Sequence, residues 1–337
     1  MRNMIMTAVE TRAARHIDGF KRMKLIRATA AIAAALAVVS CGDSREEWIS
    51  EAIDTASFQL KMTAEKLEGT GELPRSTYTG YTLEFLESQI EGDISGIVDS
   101  LTPNPPAERV GTLLTCNIYD WTSGFFPGSL WYAYELTGDE TLKQEAISYT
   151  NLLSPLRKFK DTHDLGFMVG CSFGNALRLS PSDTVKDVIM ETADNLAARF
   201  NPMTGCIRSW DFGYWNYPVI IDNMMNLDLL FTASRLSGDP RYIQVAVRHA
   251  MTTMKNHFRP DYTSYHVVSY NDDGTVEFEE THQGKNDESS WSRGQGWGVY
   301  GFTSCYRETK DTIFLNQAIH IADMIMERNT APDLVPY

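Results

Sequence analysis

Four stretches of this chain share one pattern, a short polar turn followed by an amphipathic run, and that recurrence constrains the fold more than any other feature. "LTGDETLKQEAISYTNLL" begins at Leu136, "LSPSDTVKDVIMETADNL" at Leu179, "LSGDPRYIQVAVRHAMTTM" at Leu236 and "RETKDTIFLNQAIHIADMI" at Arg307. Each turn carries an Asp suited to capping a helix: Asp139, Asp183, Asp239 and Asp311. In the second copy Val185, Val188, Ile189, Ala193, Leu196 and Phe200 recur at helical spacing. In the third, Pro240 follows the cap directly, where its missing N–H costs nothing.

A different kind of segment precedes each turn, apolar on most faces and rich in small residues: "GFFPGSLWYAYEL", "GFMVGCSFGNALRL", "NMMNLDLLFTASRL" and "RGQGWGVYGFTSCY". A helix that is hydrophobic nearly all round belongs inside, and an amphipathic one faces solvent on one side. Inner and outer helices alternating at periods of 44, 56 and 72 residues predict stacked helical hairpins, an all-α (α/α) toroid. Strand-like alternation is scarce outside residues 262–280, which read as a small β excursion. With "REEWISEAIDTASFQLKMTAEKL" as the first, about nine helices fit before the chain reaches "APDLVPY". A closed toroid needs roughly three more, so the sequence reads as truncated at its C-terminus; the other reading is an open solenoid, although residues 329–337 form no evident polar cap.

The chain is 43% hydrophobic and 22% charged, a globular balance, and its formal charge of −14 argues against nucleic acid and broad anionic-membrane surfaces. From Met23, "MKLIRATAAIAAALAVVSCGDS" places Lys24 and Arg27 before a short apolar run and a small-residue site, the layout of a secretory signal. "VVSC" resembles the lipobox of bacterial lipoproteins, which makes Cys41 the expected lipidated first residue of an exported periplasmic or outer-membrane protein; a plain signal peptide is the alternative. Residues 1–40 then read as an upstream extension plus signal, and residues 41–337 as one (α/α) domain, incomplete. The remaining Cys116, Cys171, Cys206 and Cys305 lack the spacing of a zinc site or a dense disulfide framework.

The repeat also aligns carboxylates. Asp120 lies 19 residues before the Asp139 cap, Asp164 19 before Asp183 and Asp222 17 before Asp239. Each stands at the start of an inner helix, and the fourth unit has Ser292 or Arg293 there. Three Asp and an Arg are therefore expected around one mouth of the toroid. Asp222 stands out in the nearly unbroken apolar stretch "YWNYPVIIDNMMNLDLLF", where a carboxylate is costly unless paired, bonded or neutralised. A helix N-cap is the plain explanation. Capping does not explain the company these Asp keep: Trp121, His163, Trp210, Tyr214 and Trp215. Aromatic rings beside short carboxylates suit a sugar site, and paired carboxylates are the usual equipment of glycoside hydrolysis. An apolar site raises a carboxyl pKa and a helix N-terminus lowers it; sequence leaves that balance open. The long excursion from His257 to Ser292 adds His266, His282, Gln283, Trp291 and Arg293 as candidate ligand contacts, with Asp287 and Glu288 read as a solvated loop face.

At these residues the chain resembles glycoside hydrolase family 88, the unsaturated glucuronyl hydrolases. The blocks "DWTSGFFPGSLWYAYELTGD", "HDLGF", "IIDNMMNL", "SYH", "THQG" and "WSRGQGWGVYGF" occur in the family's order over residues 115–328. The resemblance implies an (α/α)6 barrel, no metal or organic cofactor, and removal of a 4,5-unsaturated uronic acid from the non-reducing end of lyase products. It further implies that Asp222 is the general acid/base and Asp164 its carboxylate partner. Trp121, His163, Trp210, His266, Gln283, Trp291 and Arg293 match positions lining the family's pocket, with Arg293 suited to hold a carboxylate or sulfate. The stretch from Gly69 to Val110 fits the family pattern poorly and reads as an elaborated loop. Two other readings stand beside this one: an unsaturated rhamnogalacturonyl hydrolase acting on pectin fragments, and a non-catalytic glycan-binding lipoprotein that has no need of both Asp164 and Asp222.

Overall fold

A computed structural model describes residues 47–77 and 112–328. The signal and Cys41 readings, most of the 69–110 stretch and the tail at 329–337 lie outside these residues. The chain divides into two compact units, residues 1–59 and 60–337. Of the first, residues 47–59 are described and are helical throughout; the second begins with helical residues 60–67, so that one helix, α1, covers 47–67.

The second unit contains the predicted hairpins. The inner helices are α2 (Phe125–Thr137), α4 (Cys171–Leu179), α6 (Asn223–Ser237) and α8 (Ser292–Thr309). The outer ones are α3 (Glu140–Leu152), α5 (Asp183–Ala198), α7 (Pro240–Asn256) and α9 (Thr312–Arg328). A π-helical turn, Gly166–Gly170, leads directly into α4. The α2–α3 hairpin is pinned from within by Trp131, fully buried, whose Nε1 donates to Thr150 Oγ1 at 2.9 Å.

Small residues let the inner helices lie close. A Cβ on Gly128 would meet the Cys171 carbonyl oxygen at 2.8 Å, one on Gly166 the Asn226 Cα at 2.4 Å, and one on Gly301 the Met224 Cβ at 2.4 Å. The glycines of the "apolar all round" segments thus mark the contact between successive inner helices, a packing constraint that side chains would break. Burial follows the expectation most fully in α6, where Met224, Leu227, Leu229, Leu230 and Phe231 are all buried. Helices α2 and α8 each keep an exposed stripe, at Tyr132 and Tyr300, along a groove of about 450 Å³ on the inner-helix faces. Asp228 lies in this groove and accepts a short hydrogen bond from the Tyr300 hydroxyl; burial pushes its carboxyl above the ordinary range.

Three of the four capping expectations hold. Asp139, Asp239 and Asp311 accept from the backbone N–H groups of Thr141, Arg241 and Ile313 at 2.8, 2.8 and 3.1 Å. In the second hairpin the cap is Ser182, whose Oγ accepts from Val185 N, and Asp183 is instead the first helical residue, where its charge still favours the helix N-terminus. Phe200 falls beyond the end of α5, in a two-residue strand β3 (Phe200–Asn201) paired with β4 (Cys206–Ile207).

The β excursion forms as β6 (Val267–Tyr270) and β7 (Val276–Glu280), with a third strand that the sequence did not announce. This is β5 (Pro218–Ile220), antiparallel to β6, so the first part of the apolar stretch around Asp222 is strand and only the second part is helix. Earlier in the chain, β1 (Leu73–Thr77) pairs antiparallel with β2 (Leu113–Cys116). Cys116, Cys171, Cys206 and Cys305 are free thiols, and burial pushes Cys171 and Cys206 up to about 12.

Candidate active site

Asp222 sits where β5 gives way to α6, and its local geometry overturns the plain capping explanation. It occupies the N-cap position with helical dihedrals (φ −56°, ψ −26°) and makes no side-chain capping bond. A capping side chain reaches back to the second or third N–H from an extended backbone; Asp239, with ψ 115°, does so. Asp222 is held otherwise, by the ladder on its N-terminal side: Ile221 N–H donates to the His266 carbonyl oxygen at 3.1 Å, continuing the β5–β6 pairing. The residue is 7% exposed and its Oδ2 has no hydrogen-bond partner.

What Oδ2 faces is His266 Nε2, at 3.6 Å. The protonation of that ring is set at its other nitrogen. His266 Nδ1 accepts from the backbone N–H groups of His282 and Gln283 at 2.9 and 3.2 Å, so Nδ1 carries no proton and the ring hydrogen is on Nε2. Nε2 also lacks a hydrogen-bond partner. A donor and an acceptor, both buried, stand just beyond bonding distance, the loose geometry that catalytic pairs show before substrate arrives.

Asp164 is in a different electrostatic setting. Its Oδ2 accepts from Thr162 Oγ1 at 2.7 Å, and its Oδ1 lies 3.2 Å from His163 Nε2. Burial pushes its carboxyl up, but His163, the Thr162 hydrogen bond and Arg199 together pull it further down, leaving it below the ordinary carboxylate range. Asp164 is thus held as an anion, whereas Asp222 Oδ2 accepts no hydrogen bond and faces His266 Nε2. Two carboxylates in opposed environments are the raw material for division of labour between acid and anion. The segments are tied together where His163 N–H donates to the Ser209 carbonyl oxygen at 3.1 Å, one residue from Trp210.

Around the carboxylates the aromatic residues close up. The Arg293 guanidinium lies over Trp291 at 4.3 Å and over Trp121 at 5.8 Å, and among the described residues no carboxylate pairs with it. His266 meets the Trp291 ring at 4.8 Å, edge on. Trp210 packs 5.3 Å from Trp215, 5.5 Å from His282 and 6.5 Å from His266. Burial and then His266 hold His282 below its ordinary value. The structure therefore joins Trp121, Arg293, Trp291, His266 and Asp222 in one chain of contacts, with Trp210, His282 and Gln283 bordering it and His163 beside Asp164.

Asp120, the third of the aligned carboxylates, is committed elsewhere. Its Oδ1 accepts from both Thr122 N and Thr122 Oγ1, and its Oδ2 pairs with Arg75 of β1 at 3.1 Å. Asp287 likewise closes its own loop by accepting from Thr281 N at 2.8 Å. Among the described residues no group of three or more His, Cys, Asp or Glu could hold a metal ion.

Several residues of the site escaped sequence reasoning. Trp297, one helical turn after Arg293, packs 5.0 Å from Phe167, and its Nε1 is buried without a partner; the i, i+4 spacing from Arg293 was its only local signal. Glu280 at the end of β7 accepts short hydrogen bonds from both Tyr214 Oη and Trp215 Nε1, which no spacing forecasts across 65 residues. His257, fully buried, bonds the Val219 carbonyl oxygen of β5 at 3.1 Å and so supports the strand in front of Asp222.

Comparison with known proteins places the chain in a family. Residues 21–92 match a domain of unknown function, and residues 94–320 match Glycosyl Hydrolase Family 88. An unsaturated glucuronyl hydrolase of Formosa agariphila is 49% identical over 223 residues, 65% of this chain and 56% of that protein. An unsaturated chondroitin disaccharide hydrolase of Streptococcus agalactiae is 38% identical over 200 residues, 57% of this chain and 50% of that one. The chain therefore spans about half the length of these relatives. The crystal structure of an unsaturated glucuronyl hydrolase specific for heparin superposes with a TM-score of 0.74 at 44% identity, covering 85% of this chain and 69% of that one. With the family matched over most of the chain and its fold shared with a solved member, this protein belongs to glycoside hydrolase family 88 and adopts that family's α/α barrel architecture.

Proposed function

We propose that the protein removes a 4,5-unsaturated glucuronic acid from the non-reducing end of glycosaminoglycan-derived oligosaccharides. The observation that carries this reading is the unpartnered, buried Oδ2 of Asp222 facing His266 Nε2–H, in a chain whose second candidate carboxylate, Asp164, is held as the anion. Asp222 gives a proton to C4 of the double bond and water adds at C5. The water's proton returns to the Asp222 carboxylate, so the residue ends as it began. The resulting hemiketal opens, C1 becomes a hemiacetal, and the rest of the oligosaccharide leaves. Asp164 accepts hydrogen bonds from sugar hydroxyls and balances positive charge developing on the ring. Arg293, over the rings of Trp121 and Trp291 and without an acidic partner among the described residues, binds the uronate carboxylate. General acid–base help of this kind contributes about 10²–10⁴-fold.

The relatives' substrates support a glycosaminoglycan over a pectin fragment: one matched structure is of an enzyme specific for heparin, and another matched relative is a chondroitin disaccharide hydrolase. The "VVSC" sequence supports export with a lipid on Cys41. The test monitors loss of the conjugated alkene's ultraviolet absorbance on incubation with unsaturated disaccharides from chondroitin, heparin and pectin, with Asp222→Asn as control. Loss on a glucuronyl disaccharide, absent in the control, is the expected result. A cooperatively folded protein that turns over only the pectin product is a rhamnogalacturonyl hydrolase instead, and one that binds but turns over none is a glycan-binding protein. Mass spectrometry of the mature N-terminus checks the lipid.

A further inference from the structure

Beside the site, the loop from Trp210 to Tyr217 holds an apolar ring out in water. Phe212 is 57% exposed, yet it is stacked on Trp210 at 5.0 Å with an interplanar angle of 14°, and it meets the edge of Trp215 at 6.5 Å and His282 at 6.4 Å. Trp210 covers one of its faces, and more than half of the residue stays exposed. The loop that carries it is braced. Asp211 pairs with Arg199 at 2.9 Å and Arg208 at 2.8 Å, and Arg208 Nε also donates to the Trp210 carbonyl oxygen at 2.9 Å. Gly213 turns the chain at φ 82°, and a Cβ there would meet the Trp215 ring at 2.3 Å. Beyond it, Tyr214 and Trp215 are both anchored to Glu280.

A flat apolar face, held rigid at low entropic cost and continuous with Trp210 and His282, suits the C–H face of a pyranose ring. The cleaved uronate is held at Asp222 and Arg293, so the ring that reaches outward past Trp210 is the one on the other side of the scissile bond. We propose that Phe212 is a specificity-determining platform for the sugar on the leaving-group side, stacking against its solvent-facing ring. This inference rests on the hydrolase reading above and adds to it a residue that discriminates between leaving groups.

The test uses two substrates of the full chain: an unsaturated glycosaminoglycan disaccharide, and the methyl glycoside of 4,5-unsaturated glucuronic acid, which has no second sugar. Phe212→Ala is expected to lower the ratio of kcat/KM for disaccharide over methyl glycoside about tenfold, through KM, and Phe212→Trp to restore it. An unchanged ratio, or an equal fall on both substrates, overturns the proposal. If the wild-type chain turns over neither substrate, the hydrolase reading fails on its own, and a tryptophan-fluorescence titration with the disaccharide decides the platform separately. Weaker binding in Phe212→Ala than in wild type then supports it, and equal binding overturns it. Because Phe212 is exposed, an unaltered melting transition confirms that the variant has folded.

Discussion

Asp222 and Asp239 stand at the two ends of one inner helix, 17 residues apart, each at the N-cap position of a helix, yet they do opposite things. Asp239 has an extended backbone, and its Oδ1 accepts from Arg241 N–H at 2.8 Å, the ordinary service of a capping residue. Asp222 has a helical backbone, caps nothing, and leaves Oδ2 buried and unbonded before His266. The difference arises from what precedes each residue. A tight turn through Gly238, at φ 72°, precedes Asp239, so its conformation is set locally. A strand precedes Asp222, and the β5–β6 ladder draws the chain into the helix without the extended step that capping needs. A carboxylate withheld from capping is one available for chemistry.

The sharpest way to break the comparison is to neutralise each Asp in turn. Asp222→Asn is expected to lower kcat about 10³-fold in the alkene assay while leaving the unfolding free energy unchanged or slightly raised, because no bond is lost. A milder loss of turnover, or a large loss of stability, would make Asp222 structural after all.

The scaffold in front of Asp222 depends on two buried histidines, and pH reaches them. His249 accepts from Ile207 N–H of β4 and His257 bonds Val219 of β5; burial first, then neighbouring histidines, pushes both down to about 3. Since the unfolded chain titrates near the ordinary 6.5, it binds more protons than the folded one between these values. Stability is therefore full above pH 6.5 and is lost as pH falls below it, by about 1.4 kcal/mol per pH unit for each histidine. Urea unfolding at pH 7 and pH 5 measures this, and His257→Asn should remove roughly half the slope. A flat profile between these pH values refutes it.

His266 sharpens the comparison from the partner's side. With its proton fixed on Nε2 by the 282–283 backbone, it positions Asp222 and does not shuttle protons. His266→Ala should reduce kcat by about 10–100-fold with little change in KM. His266→Gln, which can place an amide N–H near the same point, should recover part of it. Full turnover in the Ala variant would remove the pair from the mechanism.

The smallest effect belongs to the ordinary cap. Asp239→Ala should cost about 1 kcal/mol in chemical denaturation and leave kcat unaltered. If it instead reduced turnover as Asp222→Asn does, the two positions would not differ in kind.

Legibility in the sequence tracks the range of the contacts involved. Hairpin order, the alternation of inner and outer helices, and the caps at Asp139, Asp239 and Asp311 depend on contacts within a few residues, and periodicity and turn chemistry report such contacts directly. The position of Asp164 and Asp222 at inner-helix starts was visible for the same reason, because the repeat numbers them. The candidate pocket residues came from the aromatic company of the aligned carboxylates, the excursion at 257–292 and the family's motifs together, and the structure assembles most of them into one connected group around Asp222.

Periodicity and turn chemistry along the chain were enough to specify an α/α row of hairpins and the positions of its carboxylates. They did not separate Asp120, tied to Arg75 of a distant strand, from Asp222, freed by another. Nor did they show β5 inside an apolar stretch that reads equally well as helix, the tautomer of His266, or the Glu280 anchor 65 residues from Trp215. These emerge with the packed fold, because each depends on which donors and strands meet across long separations. A carboxylate's chemistry is set by the partners that reach it, and those are chosen by packing rather than by its neighbours in the chain.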